Sequence, residues 1–218
     1  MLSLLEELFL LSIDDSTGTV LSSAGKALGF GLAGAVLAEL ALQNKVCVND
    51  KGRLELIDDT ETGDKLLDKV LREMQASEKP RKLTYWVNTL SARPKKFRQQ
   101  LEESLAAKGI IAEEDGYGEA GYATSADSQP VFPSKYEIKN RLRAGILAEE
   151  EIDLRSLALL SLARASKLLN LIFTKDERRA ARRYIREKIL REALANPVAQ
   201  SIEEIETAVS ASLADANS

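Results

Sequence analysis

The chain has 218 residues, a formal net charge of −4, one cysteine and no histidine. The absence of histidine excludes the most common general base and metal ligand, and a single cysteine, Cys47, excludes a disulfide framework. Leucine, alanine and charged residues predominate, while aromatic residues make up only 5%. This composition favours a helical protein. The single cysteine predicts a reducing, cytoplasmic location, and we expect neither a metal nor a cofactor.

The first part of the chain is predicted to form two apolar helices. Ser3 and Glu6 have the spacing of a capping box ahead of a short amphipathic helix. Residues 28–42 are apolar on almost every side and therefore predict a buried central helix. A membrane span is the alternative, but a span needs about 20 apolar residues, and Glu39 interrupts this run.

The same run contains the pattern G-x-G-x-x-G at Gly29, Gly31 and Gly34. This dinucleotide-binding fingerprint requires a preceding strand, and the residues before it have no β-branched or alternating run. We interpret the glycines as places where neighbouring helices approach closely. An enzyme that acts on nucleotides is therefore the least favoured functional class. Clusters of carboxylates are interpreted as solvated loops, at residues 14–15, 58–59, 113–115 and 149–151.

The middle of the chain predicts a β-hairpin followed by helices. Residues 45–48 and 53–57 alternate in polarity on either side of a turn that contains Gly52. Helical patterns follow from Gly63 and around Trp86, whose spacing to its apolar neighbours favours a core anchor over a ligand platform.

A further helix is predicted at residues 95–108, with Gly109 as its stop signal. Lys95 and Arg98 are three residues apart and therefore lie on neighbouring parts of one helix face.

Residues 110–134 have almost no helical periodicity and predict an exposed hairpin or long loop. Long loops in compact domains are often functional. Tyr117, Tyr122 and Phe132 could present apolar side chains to a membrane or a partner. An ordinary surface loop is the alternative.

The second half is predicted to be helical throughout. A helix at residues 138–147 precedes a second buried helix at 154–173 and a basic helix at 175–191. Ser201 and Glu204 have capping-box spacing ahead of a last helix.

The basic helix has eight basic and three acidic residues, a local charge of about +5 in an acidic protein. Such a face can attract phosphates or an acidic partner, and ion pairing with the protein's own acidic loops is the alternative. Nucleic acid is disfavoured because the whole chain is acidic and aromatic residues are not interleaved with the basic ones. The candidate basic surface consists of Arg178, Arg179, Arg182 and Arg183.

Several motifs occur in an order that resembles the Golgi phosphoprotein 3 family. Residues 4–11 are similar to its leucine-rich start with paired glutamates, and residues 31–42 to its central-helix signature. Trp86 with the helix that ends at Gly109 is similar to its middle helices. Arg155 and the leucine-rich residues that follow are similar to its second core helix.

The resemblance implies an all-α fold in which two buried central helices are surrounded by amphipathic helices, with one or two short β-hairpins. It would form a single domain over residues 1–218, with the exposed hairpin or loop at about 110–134. Eukaryotic members bind phosphatidylinositol 4-phosphate on Golgi membranes and hold the tails of glycosyltransferases. The chain is therefore expected to be a non-enzymatic, cytoplasmic peripheral membrane protein that binds anionic phospholipid headgroups and acts as an adaptor for cytosolic tails of membrane proteins.

The family's lipid pocket maps onto this chain only in part. Its paired basic positions fall on Lys95 and Arg98, whereas its tryptophan and arginine positions fall on Ala24 and Ala33. Trp86 matches a structural tryptophan of the family. We therefore expect a bacterial-type member with looser recognition of anionic lipids. A soluble protein-binding adaptor that uses the basic helix is the alternative function, and the oligomeric state is left open.

Overall fold

The fold begins with a helix whose residues are all buried. The computed structural model describes residues 2–15, 17, 19–111, 133–148 and 151–218. Helix α1, Leu4–Leu11, starts at the predicted capping box. Ser3 Oγ accepts a hydrogen bond from Glu6 N at 3.3 Å, and the Glu6 carboxylate accepts one from Ser3 N at 2.7 Å. The cap is confirmed, but the helix is buried on every side rather than amphipathic.

Helix α2, Gly25–Leu42, is the predicted central helix. Among the described residues it is the one helix long and apolar enough to cross a membrane, and 72% of that window is buried inside the protein. A Cβ added at Gly34 would lie 2.6 Å from Val209 Cγ2, and one at Gly31 would lie 3.1 Å from Leu8 Cδ2. The interpretation as close-packing positions is confirmed for Gly31 and Gly34 but is wrong for Gly29, where a Cβ would meet only Ser91 O at 3.5 Å.

A small antiparallel sheet follows, with strands β1 (Val46–Val48), β2 (Arg53–Leu56) and β3 (Arg81–Lys82) in the order β1-β2-β3. The predicted hairpin is confirmed, with Val46 opposite Leu56 and Gly52 in the left-handed region at φ +63°. The sequence did not predict β3, because two exposed residues carry no periodic signal.

Three helices lie between β2 and the segment at 112–132, which lies outside the described residues; β3 falls between the first and the second. They are α3 (Lys65–Gln75), α4 (Leu83–Ser91) and α5 (Pro94–Ala107). Trp86 of α4 is 4% exposed, so the prediction of a core anchor is confirmed.

The second half contains α6 (Pro133–Leu147) and α7 (Leu154–Ala165), followed by a 3₁₀ turn at Leu169–Leu171. Nine of the twelve residues of α7 are buried, which makes it the second core helix. The prediction of one continuous helix over 154–173 is wrong, because α7 ends eight residues earlier.

The end of α7 is a Schellman motif without glycine. Lys167 adopts the left-handed conformation at φ +60°. Leu168 N donates to Ala163 O at 2.7 Å, and Lys167 N donates to Arg164 O at 3.1 Å, so the last carbonyls of α7 are satisfied. A lysine gives no such stop signal in the sequence.

Helices α8 (Glu177–Ala193) and α9 (Pro197–Asp215) complete the fold. The cap of α9 is Asn196, whose side chain accepts from two backbone N–H groups of the first turn at 2.9 and 3.3 Å. The predicted cap at Ser201 is therefore wrong: Ser201 lies inside α9 and accepts a hydrogen bond from Val48 N at 3.2 Å.

Helix α9 packs against α2, α4, α7 and α8, and nine of its nineteen residues are buried, so one of its faces joins the core. The predicted all-α class, with buried helices surrounded by others and a short hairpin, is confirmed.

Candidate functional site

The predicted lipid-binding residues lie on the exposed side of α5. Lys95 and Arg98 are both exposed, and Arg98 Nε donates to Glu102 Oε1 at 2.6 Å, one turn further along. The opposite side of α5 enters the core through Phe97, Leu101 and Leu105. Packing of these three side chains therefore fixes the face that carries the two basic residues.

The first turn of α5 concentrates positive charge where the helix dipole is also positive. Its N-cap, Arg93, makes no side-chain cap, and the first turn contains no acidic residue. Lys95 and Lys96 occupy this turn, although cations at a helix N-terminus are unfavourable by about 0.3–1 kcal/mol each. The combination of uncapped N–H groups and cations favours an anion at this position.

A lysine of α3 extends the cluster. Contact with the side-chain amine of Lys96, with a smaller effect of desolvation, lowers the pKa of Lys69. Arg93 Nη1 donates to both carboxylate oxygens of Glu73, at 2.7 and 3.0 Å. Sequence reasoning missed Lys69, because it lies on another helix and only the packing of α3 against α5 brings it close.

The other end of α5 is fixed by a buried carboxylate. Glu6 accepts hydrogen bonds from Lys108 Nζ at 2.6 and 2.7 Å and from Ser104 Oγ at 2.8 Å. Burial opposes ionisation, but these hydrogen bonds and that from Ser3 N outweigh it and lower the pKa of Glu6. A cleft of about 490 Å³ lies beside this ion pair, between α1, α3 and α5. The buried acid beside this cleft, Glu6, is thus already engaged in contacts that hold α1 and α5 together.

Of the remaining predicted lipid-site positions, three lie outside the described residues and two are buried. Tyr117, Tyr122 and Phe132 lie outside the described residues. Ala24 and Ala33, which occupy the family's tryptophan and arginine positions, are 1% and 0% exposed in the core. The described basic cluster therefore consists of residues of α3 and α5 alone.

The second predicted surface is the outer face of α8. Arg179, Arg182 and Arg183 are exposed and Arg178 is half-buried. The ion pairs that α8 makes within the described part of the chain are Arg143–Glu177, at 2.6 Å, and Lys188–Glu192, at 2.9 Å. None involves these four arginines, so the alternative of ion pairing with the protein's own acids is not supported by the described residues.

An open groove of about 770 Å³ runs between α8 and the end of α7. Sequence reasoning missed two of its basic residues, Arg164 and Lys167, because both fall within residues 154–173, which the sequence predicts as one continuous helix. The early end of α7 places them opposite the arginines of α8. We call this the α7–α8 groove; it is lined by Arg164, Lys167, Arg179, Arg182, Arg183, Arg186, Glu187 and Leu190.

Comparison with known proteins places this chain in a family. The family model described as Golgi phosphoprotein 3 (GPP34) matches residues 4–205. Vacuolar protein sorting-associated protein 74 of Eremothecium gossypii is 30% identical over 133 residues, a match that covers 52% of this chain and 40% of the relative. The match thus spans less than half of that protein's length. Because the family match extends over most of the sequence, the chain belongs to the Golgi phosphoprotein 3 family.

Proposed function

We propose that the chain is a peripheral membrane protein that binds anionic phospholipid headgroups and serves as an adaptor at the cytoplasmic surface of a Golgi-type membrane. The family to which it belongs consists of non-enzymatic adaptor proteins. For this chain we propose two further properties: that it binds lipid, and that its partners include cytosolic tails of membrane proteins. That the chain is a bacterial-type member of the family stays a prediction.

The observation that carries the lipid role is the first turn of α5. Exposed Lys95 and Lys96 lie beside uncapped backbone N–H groups, and Arg98 follows within one turn. In our proposal a headgroup phosphate accepts hydrogen bonds from these groups and offsets the repulsion among the cations. Near an anionic bilayer each basic residue contributes about 1 kcal/mol.

The chemistry of the cluster favours a phosphomonoester over a phosphodiester. A phosphomonoester carries a charge of about −1.5 to −2 and three acceptor oxygens, so it can engage Lys95, Arg98 and backbone N–H groups together. Phosphatidylinositol 4-phosphate has such a group. The buried alanines at positions 24 and 33 supply no further contacts, and we therefore expect a preference rather than strict specificity.

Vesicle co-sedimentation at about 0.15 M salt tests this proposal. Vesicles with phosphatidylinositol 4-phosphate are compared with phosphatidylserine vesicles of equal total charge and with neutral phosphatidylcholine vesicles. We expect most protein on the first, less on the second and little on the third. Equal pelleting with neutral and anionic vesicles would reject the lipid role and leave the soluble adaptor, the alternative function, in its place.

A further inference from the structure

The α7–α8 groove is the second concentration of positive charge in the described residues. Arg164 and Lys167 line one side, at the end of α7, and four arginines of α8 line the other. Glu187 is the one acidic residue in this lining. A chain with a net charge of −4 thus places six basic side chains around one groove.

The charges of the groove are only partly neutralised. Arg164 Nη2 donates to Glu206 Oε1 of α9. The exposed Arg179, Arg182 and Arg183 make no ion pair with any residue that the structure describes, and Arg186 attracts Glu206 without forming a close ion pair with it. Like charges three and four residues apart on a helix repel one another. An anionic ligand would relieve this repulsion. The repulsion itself contributes nothing favourable to folding.

One end of the groove is apolar. Leu190 lines it and is 44% exposed; Leu194, the C-cap residue just beyond α8, is 89% exposed and lies outside the lining. From Arg179 to Leu190 the helix rises about 16 Å, which is the length of about five residues of extended peptide. The groove therefore offers a short basic track that ends at an exposed leucine, Leu190.

We propose that the α7–α8 groove binds an acidic peptide segment of a partner protein, with carboxylates along the arginines and an apolar side chain against Leu190. Five of the six basic residues are arginines, whose planar guanidinium groups bind carboxylates with two hydrogen bonds. A concave track suits a single chain better than a flat bilayer. The lining contains no aromatic side chain on which nucleic-acid bases would stack.

This proposal does not depend on the lipid role. Helix α5 packs against α1, whereas α8 packs against α7 and α9. The basic cluster of α5 and the α7–α8 groove are therefore built by different elements and can be tested by different variants.

Fluorescence anisotropy tests the groove with a labelled peptide of four glutamates followed by a leucine. We expect saturable binding that Arg179→Glu with Arg183→Glu weakens by about tenfold or more. Arg191→Glu, an exposed change on the same helix outside the groove lining, should change the affinity by less than about twofold. Replacing the terminal leucine of the peptide by serine should weaken binding by about fivefold, and Leu190→Ser should abolish that preference.

Three outcomes would overturn the proposal: no saturable binding of the peptide, equal losses in the double variant and in Arg191→Glu, or no leucine preference in the native chain. Phosphatidylserine vesicles serve as a competing probe. If they bind through Arg179 and Arg183 while the peptide does not, the groove is a membrane surface and the peptide proposal is wrong. Thermal melting of each variant shows that lost binding does not reflect unfolding.

Discussion

Glu39 and Arg155 form a bidentate ion pair between α2 and α7, with Nη1–Oε1 and Nη2–Oε2 distances of 3.0 and 2.9 Å. Glu39 Oε2 also accepts from Leu4 N at 2.8 Å, and Arg155 Nη2 donates to Leu2 O at 2.8 Å. The pair thus joins the start of α1 to both central helices. This explains why an acidic residue interrupts the apolar run of α2.

Replacing Arg155 by alanine should lower the free energy of unfolding by about 3 kcal/mol, because Glu39 would remain buried without its partner. Urea denaturation measures this loss. The matched control is the double variant Glu39→Gln with Arg155→Met, which removes both charges and should lose less than Arg155→Ala alone. A loss below about 1 kcal/mol in the single variant would show that the pair is not a main contact of the core.

Gly34→Ala should destabilise the protein by about 1–3 kcal/mol. The new methyl group would lie 2.6 Å from Val209 Cγ2 and 2.7 Å from Leu162 Cδ2, so α7 or α9 would have to move.

Gly29→Ala in the same helix is the control for Gly34→Ala. Its Cβ would meet only Ser91 O, at 3.5 Å, and alanine is favoured over glycine in a helix by about 1 kcal/mol. Thermal denaturation should therefore rank Gly29→Ala above the native chain and Gly34→Ala below it. An unchanged midpoint for Gly34→Ala would contradict the close packing of α2 against α7 and α9.

The ion pair between Arg143 and Glu177 should make stability depend on acid pH. Hydrogen bonds from Arg143 and from Thr174 N lower the pKa of Glu177 from 4.5 to about 2. Because the folded pKa is the lower one, the stabilisation is fully present above pH 4.5 and is lost as the pH falls through about 2.

Glu177→Gln should therefore be less stable than the native chain at neutral pH, and the difference should shrink between about pH 5 and pH 2. Urea denaturation across this range measures it. Glu137→Gln, an exposed change on α6, controls for loss of a surface carboxylate. A difference between Glu177→Gln and the native chain that stays constant over the range would refute the assignment.

The sequence predicts local structure well where periodicity and capping residues agree. The capping box at Ser3, the buried run of α2 and the hairpin at β1 and β2 are examples. It fails at two helix ends whose capping residues it does not identify. Lys167 ends α7 in a left-handed conformation that glycine usually adopts, and Asn196 rather than Ser201 caps α9.

Each candidate site likewise combines residues that the sequence identifies with residues that only the folded structure brings together. Lys95 and Arg98 follow from helical spacing and from the family resemblance. Lys69 and Arg164 lie on other helices from the clusters that they join, and Lys167 lies just beyond the end of α7. No spacing along the chain links these residues to the clusters. The early end of α7 creates the α7–α8 groove, so a sequence interpretation with a longer helix could not contain it.

The central claim is that α5 carries a headgroup site. Vesicle binding by two double variants that lose the same charge tests it most directly. Lys95→Ala with Arg98→Ala and Arg179→Ala with Arg183→Ala each remove two positive charges from exposed helix faces. On phosphatidylinositol 4-phosphate vesicles, the account predicts that the first variant loses at least about tenfold in affinity while the second stays within about threefold of the native chain. Equal losses in both variants, or no loss in the first, would contradict a headgroup site on α5.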